Sequence, residues 1–379
     1  MEKPTRMIPV SEPNLTNLER SFLIDAFDSG WISSRGKYIE LFEKEFAKFL
    51  NVKHAISVSN GTVSLHLILL ALGIGAGDEV IVPNFTYIAS VNAIKYVGAT
   101  PVFVDSEYDT WNLDVRQVEK KISSKTKAVM AVHIYGHAVD LDPLLRISKK
   151  YNIYIIEDAA EALGTKYKGE YVGKFGIAGS FSFYGNKTIT TGEGGMVVTN
   201  NDEIAAKIKK LKNQGSSETK KYWHDIIGYN YRMTNLQAAI GYAQTLRIKE
   251  LIKKKRLIAS WYKKFLNHKL IMHPVEKDYC EHSYWMYSIL LDKSIENFRE
   301  EIMRELYEKY KIETRPFFYP ATMMPMYKDF HDNDEFTNVM DFYKRGINLP
   351  SSTKLTQEDV KYISLCLVKI LNKYKEELQ

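Results

Sequence analysis

Within Ser182–Gly195 (SFYGNKTITTGEGG), Lys187 follows the aromatic Phe183 and Tyr184 and precedes tight glycine turns. A lysine on an open loop is a solvated charge. One held in a partly enclosed pocket sheds its proton more readily and can attack a carbonyl as a Schiff-base nucleophile. Gly185-Asn186-Lys187-Thr188 looks superficially like a phosphate-binding P-loop. That motif needs Gly directly before Lys, whereas Asn186 intervenes, Gly179 is misspaced, and the following glycines forbid a long helix.

Using pyridoxal phosphate, such a lysine needs an acid beside the ring nitrogen, an anion cradle for the phosphate and a flat group against the ring. Asp158, twenty-nine residues earlier, ends the apolar run Ile153–Ile156 and the acidic pair Glu157-Asp158. It suits the acid role or, equally, an N-cap for a helix from Ala159. Gly61-Thr62 follows a strand-like run and opens a helix-like one, so its N–H groups can hold phosphate. Tyr87 is either the stacking ring or a core aromatic.

The elements that must position these residues alternate. Apolar runs at 55–58, 79–82, 101–104, 128–134 and 153–156 are separated by helix-like stretches. This predicts a mostly parallel sheet covered on both faces, with ligands at the carboxyl ends of its strands. Ser59-Asn60-Gly61, Asn84, Asp105, His133 and Asp158 then share one rim. Past Asp158 the chain predicts a hairpin turning at Lys168-Gly169, strands at 180–184 and 195–199, and a Lys-rich helical stretch from Asp202. The reading divides the chain into a large domain, 1–250, and a small C-terminal α+β domain, 251–379, joined by a helix over 250–267.

Four segments in order, Ser59–Thr62, Glu157–Glu161, Ser182–Gly195 and Gly228–Asn235 (GYNYRMTN), resemble the nucleotide-sugar aminotransferases. These are pyridoxal-phosphate enzymes of fold type I, the aspartate-aminotransferase fold, and the resemblance runs from about Gly30 to the C-terminus. It implies an α/β fold with a mostly parallel central sheet in the large domain. It makes Lys187 the Schiff-base lysine and proton shuttle, Asp158 the partner of the ring nitrogen, and Glu161 a neighbour of the ring hydroxyl. Gly61, Thr62 and Ser182 hold the phosphate, Tyr87 stacks on the ring, and Asn230 reaches the neighbouring subunit's phosphate, so a homodimer shares its sites. Composition alone would make Asn230 a turn residue.

The segments His133–His137, Glu313–Pro320 and Asn348–Ser352 point, within that family, to enzymes that move an amino group from L-glutamate to the C4 ketone of GDP-4-keto-6-deoxymannose. On this resemblance Ser34, His133, Arg315, Phe317 and Tyr319 are candidate substrate contacts. The chain departs from the pattern at Ala321-Thr322-Met323, where a histidine is expected. UDP- or dTDP-linked keto-sugars, a sugar dehydratase on the same fold, and a cofactor-binding regulator stand as alternatives. The dehydratase needs histidine in place of Lys187, and the regulator needs a DNA-binding appendage for which the segment before Gly30 is short.

Composition narrows the class. Of 379 residues, 45% are hydrophobic and 26% charged, as in folded globular chains, and net charge is only +6. The two cysteines form no disulfide framework and point to a reducing compartment. With no signal-like segment and no long apolar run, a cytoplasmic protein is expected, binding neither membrane nor nucleic acid. His133 and His137 lie at a strand end, so hydrogen bonding is expected of them rather than metal binding. Residues 205–256 carry thirteen Lys/Arg against three Asp/Glu, read as a solvated helix face.

Overall fold

The computed structural model describes residues 6–330 and 336–377. Its strands are β1 (His54–Val58), β2 (Glu79–Pro83), β3 (Thr100–Val104), β4 (Thr126–Val132), β5 (Tyr154–Asp158), β6 (Lys166–Tyr167), β7 (Glu170–Tyr171), β8 (Ala178–Ser182), β9 (Gly195–Thr199), β10 (Ile271–Met272), β11 (Cys280–Glu281), β12 (Tyr287–Leu291), β13 (Arg315–Pro316) and β14 (Gly346–Leu349). Its α-helices are α1 (Asn17–Asp28), α2 (Lys37–Leu50), α3 (Gly61–Ala71), α4 (Ala89–Tyr96), α5 (Val115–Val118), α6 (Leu141–Tyr151), α7 (Asp202–Leu211), α8 (Asn235–Leu246), α9 (Ile248–Phe265), α10 (Arg299–Tyr310), α11 (Thr337–Phe342) and α12 (Gln357–Glu377).

Seven strands form the central sheet in the order β1-β9-β8-β5-β4-β2-β3. Pairing is parallel from β8 to β3, while β9 runs antiparallel to both β8 and β1. The strands are apolar on both faces because both faces are covered. Val80, Val82, Met130 and Val132 join one core with α3, α4 and α7, and Ile81, Val129 and Ala131 join the other with α2, α6 and α8. This is the mostly parallel, doubly covered sheet expected from the alternation, and it agrees with the fold-type-I arrangement that the resemblance implies.

A second sheet, β10-β12-β14-β13, is antiparallel and packs with α9, α10 and α12 around a third core. Ile8 bridges to Ile312 and joins that core, so the N-terminal segment rests on the C-terminal part. The expected hairpin is β6–β7, its turn taken by Lys168 at φ 49° and Gly169 at φ 86°. The helix expected over 250–267 is α9.

The stretch after Asp202 is helical only to Leu211. Residues 212–234 form an irregular arm in which Gly215, at φ +66°, crosses Gly228 so closely that a Cβ on Gly228 would lie 2.0 Å from the Gly215 nitrogen. That crossing excludes a helix. The solvated-face reading of the basic stretch fails at two lysines. Lys212 Nζ binds the Ser57 carbonyl (2.8 Å) and the Glu43 carboxylate (3.3 Å), and Lys255 is buried. Among the described residues no helix is long and apolar enough to cross a membrane.

Candidate active site

The carboxyl ends of β5 and β8 bring Asp158, Glu161 and Lys187 together. Asp158 and Glu161 are buried, 6% and 5% exposed. No helix follows Asp158, so the N-cap alternative lapses; its two oxygens instead accept the Ser90 hydroxyl (2.7 Å) and the Ala160 N–H (3.1 Å). Burial raises the Asp158 carboxyl above its ordinary range, against those hydrogen bonds and the Lys187 charge. Glu161 accepts the Tyr135 N–H (2.9 Å), and burial raises its carboxyl too, opposed chiefly by Lys187. Burial in turn lowers the Lys187 ammonium, which both carboxylates support. Burial and the two carboxylates thus pull the Lys187 proton in opposite directions, as is common where a site does chemistry.

The loop carrying Lys187 closes by turns. Lys187 N–H bonds the Tyr184 carbonyl, Thr191 N–H bonds that of Phe183, and Gly192 takes φ +84°. The Lys187 amine lies over the Trp285 ring, 4.0 Å from its centroid, and the indole N–H donates to the Asn186 carbonyl (2.9 Å).

Across the rim, Asn60 caps α3 by accepting the Val63 N–H (3.0 Å). The N–H groups of Gly61 and Thr62 point out of a helix start, where no intrahelical acceptor exists. Ser182 lies against this turn, and a Cβ on Gly61 would stand 2.9 Å from the Ser182 Cβ. Gly61, Thr62 and Ser182 therefore form one cradle suited to an anion. Tyr87, 59% exposed, is no core aromatic and has its ring 5.7 Å from that of Phe318. An enclosed amine, a carboxylate with lone pairs to spare, an anion cradle and an exposed ring fit a phosphorylated pyridine aldehyde.

Residues 13–368 match the DegT/DnrJ/EryC1/StrS aminotransferase family. The chain belongs to this family. It is an aminotransferase similar to GDP-perosamine synthase of Escherichia coli O157:H7, 53% identical over 358 residues, which covers 94% of this chain and 97% of that one. It is also similar to GDP-perosamine synthase of Vibrio cholerae, 53% identical over 366 residues, covering 97% and 100%. A putative sugar aminotransferase of Streptococcus pneumoniae, Spr1654, in its PLP form, superposes with a TM-score of 0.92 at 29% identity, covering 97% of this chain and 99% of that one.

Two of the substrate contacts expected of this aminotransferase are enclosed instead. His133 is fully buried, its Nε2 on Glu157 (3.1 Å) and its Nδ1 accepting the Val139 N–H (3.1 Å). Glu157 also accepts N–H groups from Gly173, Phe175 and Gly176, which makes it a structural carboxylate. Phe317 is 1% exposed and lies over Gly346, where a Cβ would collide with its ring. Its neighbour Phe318 faces Tyr87 instead.

The other expected contacts lie nearer solvent. Arg315 is exposed and faces Glu313 (3.6 Å), Tyr319 is half-exposed, and Ser34 is half-buried in the loop before α2. That loop is tied by Asn235, which accepts the Tyr38 N–H (3.0 Å) and donates to the Trp31 carbonyl (2.6 Å). Gly36, at φ +142°, packs on the Asn235 side chain with no room for a Cβ. Asn230 is exposed on the irregular arm and accepts from Arg232 (3.1 Å). Where a histidine was expected, Thr322 is buried against Asn84, which donates to its hydroxyl (2.9 Å) and accepts its N–H (3.0 Å).

Sequence reading missed Ser90, Tyr135, Trp285 and Lys255. Only Ser90 carried a usable signal, three residues after Tyr87 at the start of a helix, hence on the same face.

Proposed function

We propose that the chain transfers the amino group of L-glutamate to the C4 ketone of GDP-4-keto-6-deoxymannose, giving GDP-perosamine, with pyridoxal phosphate and its amine form as the alternating cofactor. The observation that carries this is 53% identity to two GDP-perosamine synthases along nearly the whole chain.

When bound, the cofactor supplies an aldehyde that accepts the amine and an electron-poor ring that stabilises negative charge on carbon. Lys187 Nζ is the amine that would hold such an aldehyde, and it is placed to carry the proton to or from the sugar C4. Burial serves this by favouring its neutral amine. Asp158, with Ser90 and Ala160 using only part of its acceptor capacity, would hold the ring N–H. A cation there offsets the cost of burying the carboxylate. Glu161 would serve the ring hydroxyl, Gly61, Thr62 and Ser182 would hold the phosphate, and Tyr87 would cover the ring. Ser34, Arg315 and Tyr319 are the remaining candidates for the sugar nucleotide, Arg315 by the forked geometry that suits a diphosphate.

In this reading the enzyme works as a homodimer in the cytoplasm, and Asn230 completes the neighbouring phosphate site. The product feeds surface polysaccharide of the O-antigen type. Dimerisation is supported by exposed apolar side chains on the irregular arm, Tyr222, Trp223, Ile226 and Ile227, and near α1, Phe27, Trp31 and Ile32. The test is a panel of GDP-, UDP- and dTDP-linked 4-keto-6-deoxy sugars with glutamate, scored by product mass. The GDP-linked amino sugar is the expected product. Turnover confined to a UDP or dTDP substrate overturns the nucleotide assignment.

A further inference from the structure

The helix α9 sends one lysine inward. Lys255 is 3% exposed, and its Nζ donates to the carbonyls of Trp285 (2.9 Å) and Ser351 (2.6 Å). Ser351 in turn accepts the Tyr287 N–H on its hydroxyl (2.8 Å) and donates its own N–H to the Val10 carbonyl (2.8 Å). One ammonium thus joins the start of β12, the loop after β14 and the N-terminal segment. The residue it grips, Trp285, is the one whose ring underlies the Lys187 amine and whose indole N–H holds the Asn186 carbonyl. The indole has little freedom on its other sides. Tyr135 stacks on it with ring centroids 6.2 Å apart, and the indole N–H is held by the Asn186 carbonyl.

A lysine buried this deeply carries a desolvation cost, offset here by its two carbonyl acceptors. Burial pulls the Lys255 ammonium down to about 7, and Lys187 adds to the fall. The charged and titratable groups bearing on Lys187 are Asp158 and Glu161, and Lys255 is close enough to feel its charge.

We propose that Lys255 is a positioning residue for Lys187: it pins the Trp285 and Ser351 carbonyls, and the pinned indole face holds the Lys187 amine whenever that amine is free of cofactor. This rests on Lys187 being the reactive amine, and it adds a second lysine, acting through the tryptophan, to the machinery of the site. Once displaced from a bound cofactor, the Lys187 amine would have to return. A ring face that attracts its ammonium keeps it within reach.

The experiment uses cofactor-free full-length protein. Trace labelling with acetic anhydride across a pH series, read by peptide mass at Lys187, gives the titration midpoint of that amine without any turnover. Trp285→Leu removes the ring, and its midpoint is expected about half to one and a half pH units below native, the equivalent of one lost cation–π contact. Lys255→Gln and Lys255→Met both remove the charge, but only the amide can still donate to the two carbonyls. The expected result is therefore a midpoint in Lys255→Met lower than in Lys255→Gln by a similar shift. Circular dichroism checks folding, and Lys255→Asn, whose amide falls short of both carbonyls, replaces a methionine variant that does not fold. Coincident midpoints in the glutamine variant and the methionine or asparagine variant overturn the proposal, as does a Trp285→Leu midpoint equal to native. A failed substrate panel leaves this readout standing, whereas failure of cofactor to attach at Lys187 removes its premise.

Discussion

Ser90 gives the sharpest handle on the acid. Its hydroxyl donates to Asp158 at 2.7 Å inside a buried pocket, and Thr86 lies behind it at 2.9 Å. Ser90→Ala removes that donor without altering the carboxylate or its distance from Lys187. A hydrogen bond to a charged acceptor contributes about 1.5–3 kcal/mol, and at 1.36 kcal/mol per pH unit this is about 1–2 units. The hydrogen bond favours the ionised carboxylate, so its loss raises the Asp158 carboxyl further above its ordinary range. The reaction needs the carboxylate ionised beside the ring nitrogen, so activity disappears as pH falls through that value. The acid limb of kcat/KM for the glutamate half-reaction is therefore expected to move up by about 1–2 units, with the alkaline limb in place. A folded Ser90→Ala protein whose acid limb is unmoved, or moves down, refutes the role given to Asp158.

Gly61→Ala forces a Cβ to 2.9 Å from Ser182; cofactor affinity is expected to fall at least tenfold with a stability loss of about 1–3 kcal/mol, read by cofactor titration and urea melts. Tyr87→Ala, at an exposed position, should change stability by no more than about 0.5 kcal/mol yet weaken cofactor binding by roughly tenfold through lost stacking. Phe317→Ala should do the reverse, costing about 3–5 kcal/mol of stability with cofactor affinity kept in whatever fraction folds. His133→Ala strips partners from Glu157 and the Val139 N–H, and should lower the melting temperature without altering which sugar nucleotide is accepted.

The central sheet was legible because strands covered on both faces are apolar throughout, and few other architectures require that. Lys187, Asp158 and the Gly61 turn could be singled out because each carries chemistry in its own residue type and neighbours. Phe317 was misread because adjacent residues in extended chain face opposite ways, and nothing local says that Phe318 turns outward. His133 was misread because Glu157, its partner, lies on the next strand and shows no separate signal. The irregular arm at 212–234 read as helix because its lysines hid the Gly215–Gly228 crossing, a contact between residues thirteen apart. Lys255 was lost among exposed lysines on the same helix. Its burial depends on Trp285 and Ser351, which only the folded chain brings near.

Attachment of cofactor to Lys187 can be measured directly. Protein incubated with pyridoxal phosphate, reduced with borohydride and digested should yield one peptide heavier by a phosphopyridoxyl group, with the mass on Lys187. Lys187→Ala should give no such peptide and no amino-sugar product. An adduct on another lysine, or full turnover in Lys187→Ala, contradicts the assignment of this residue as the reactive amine.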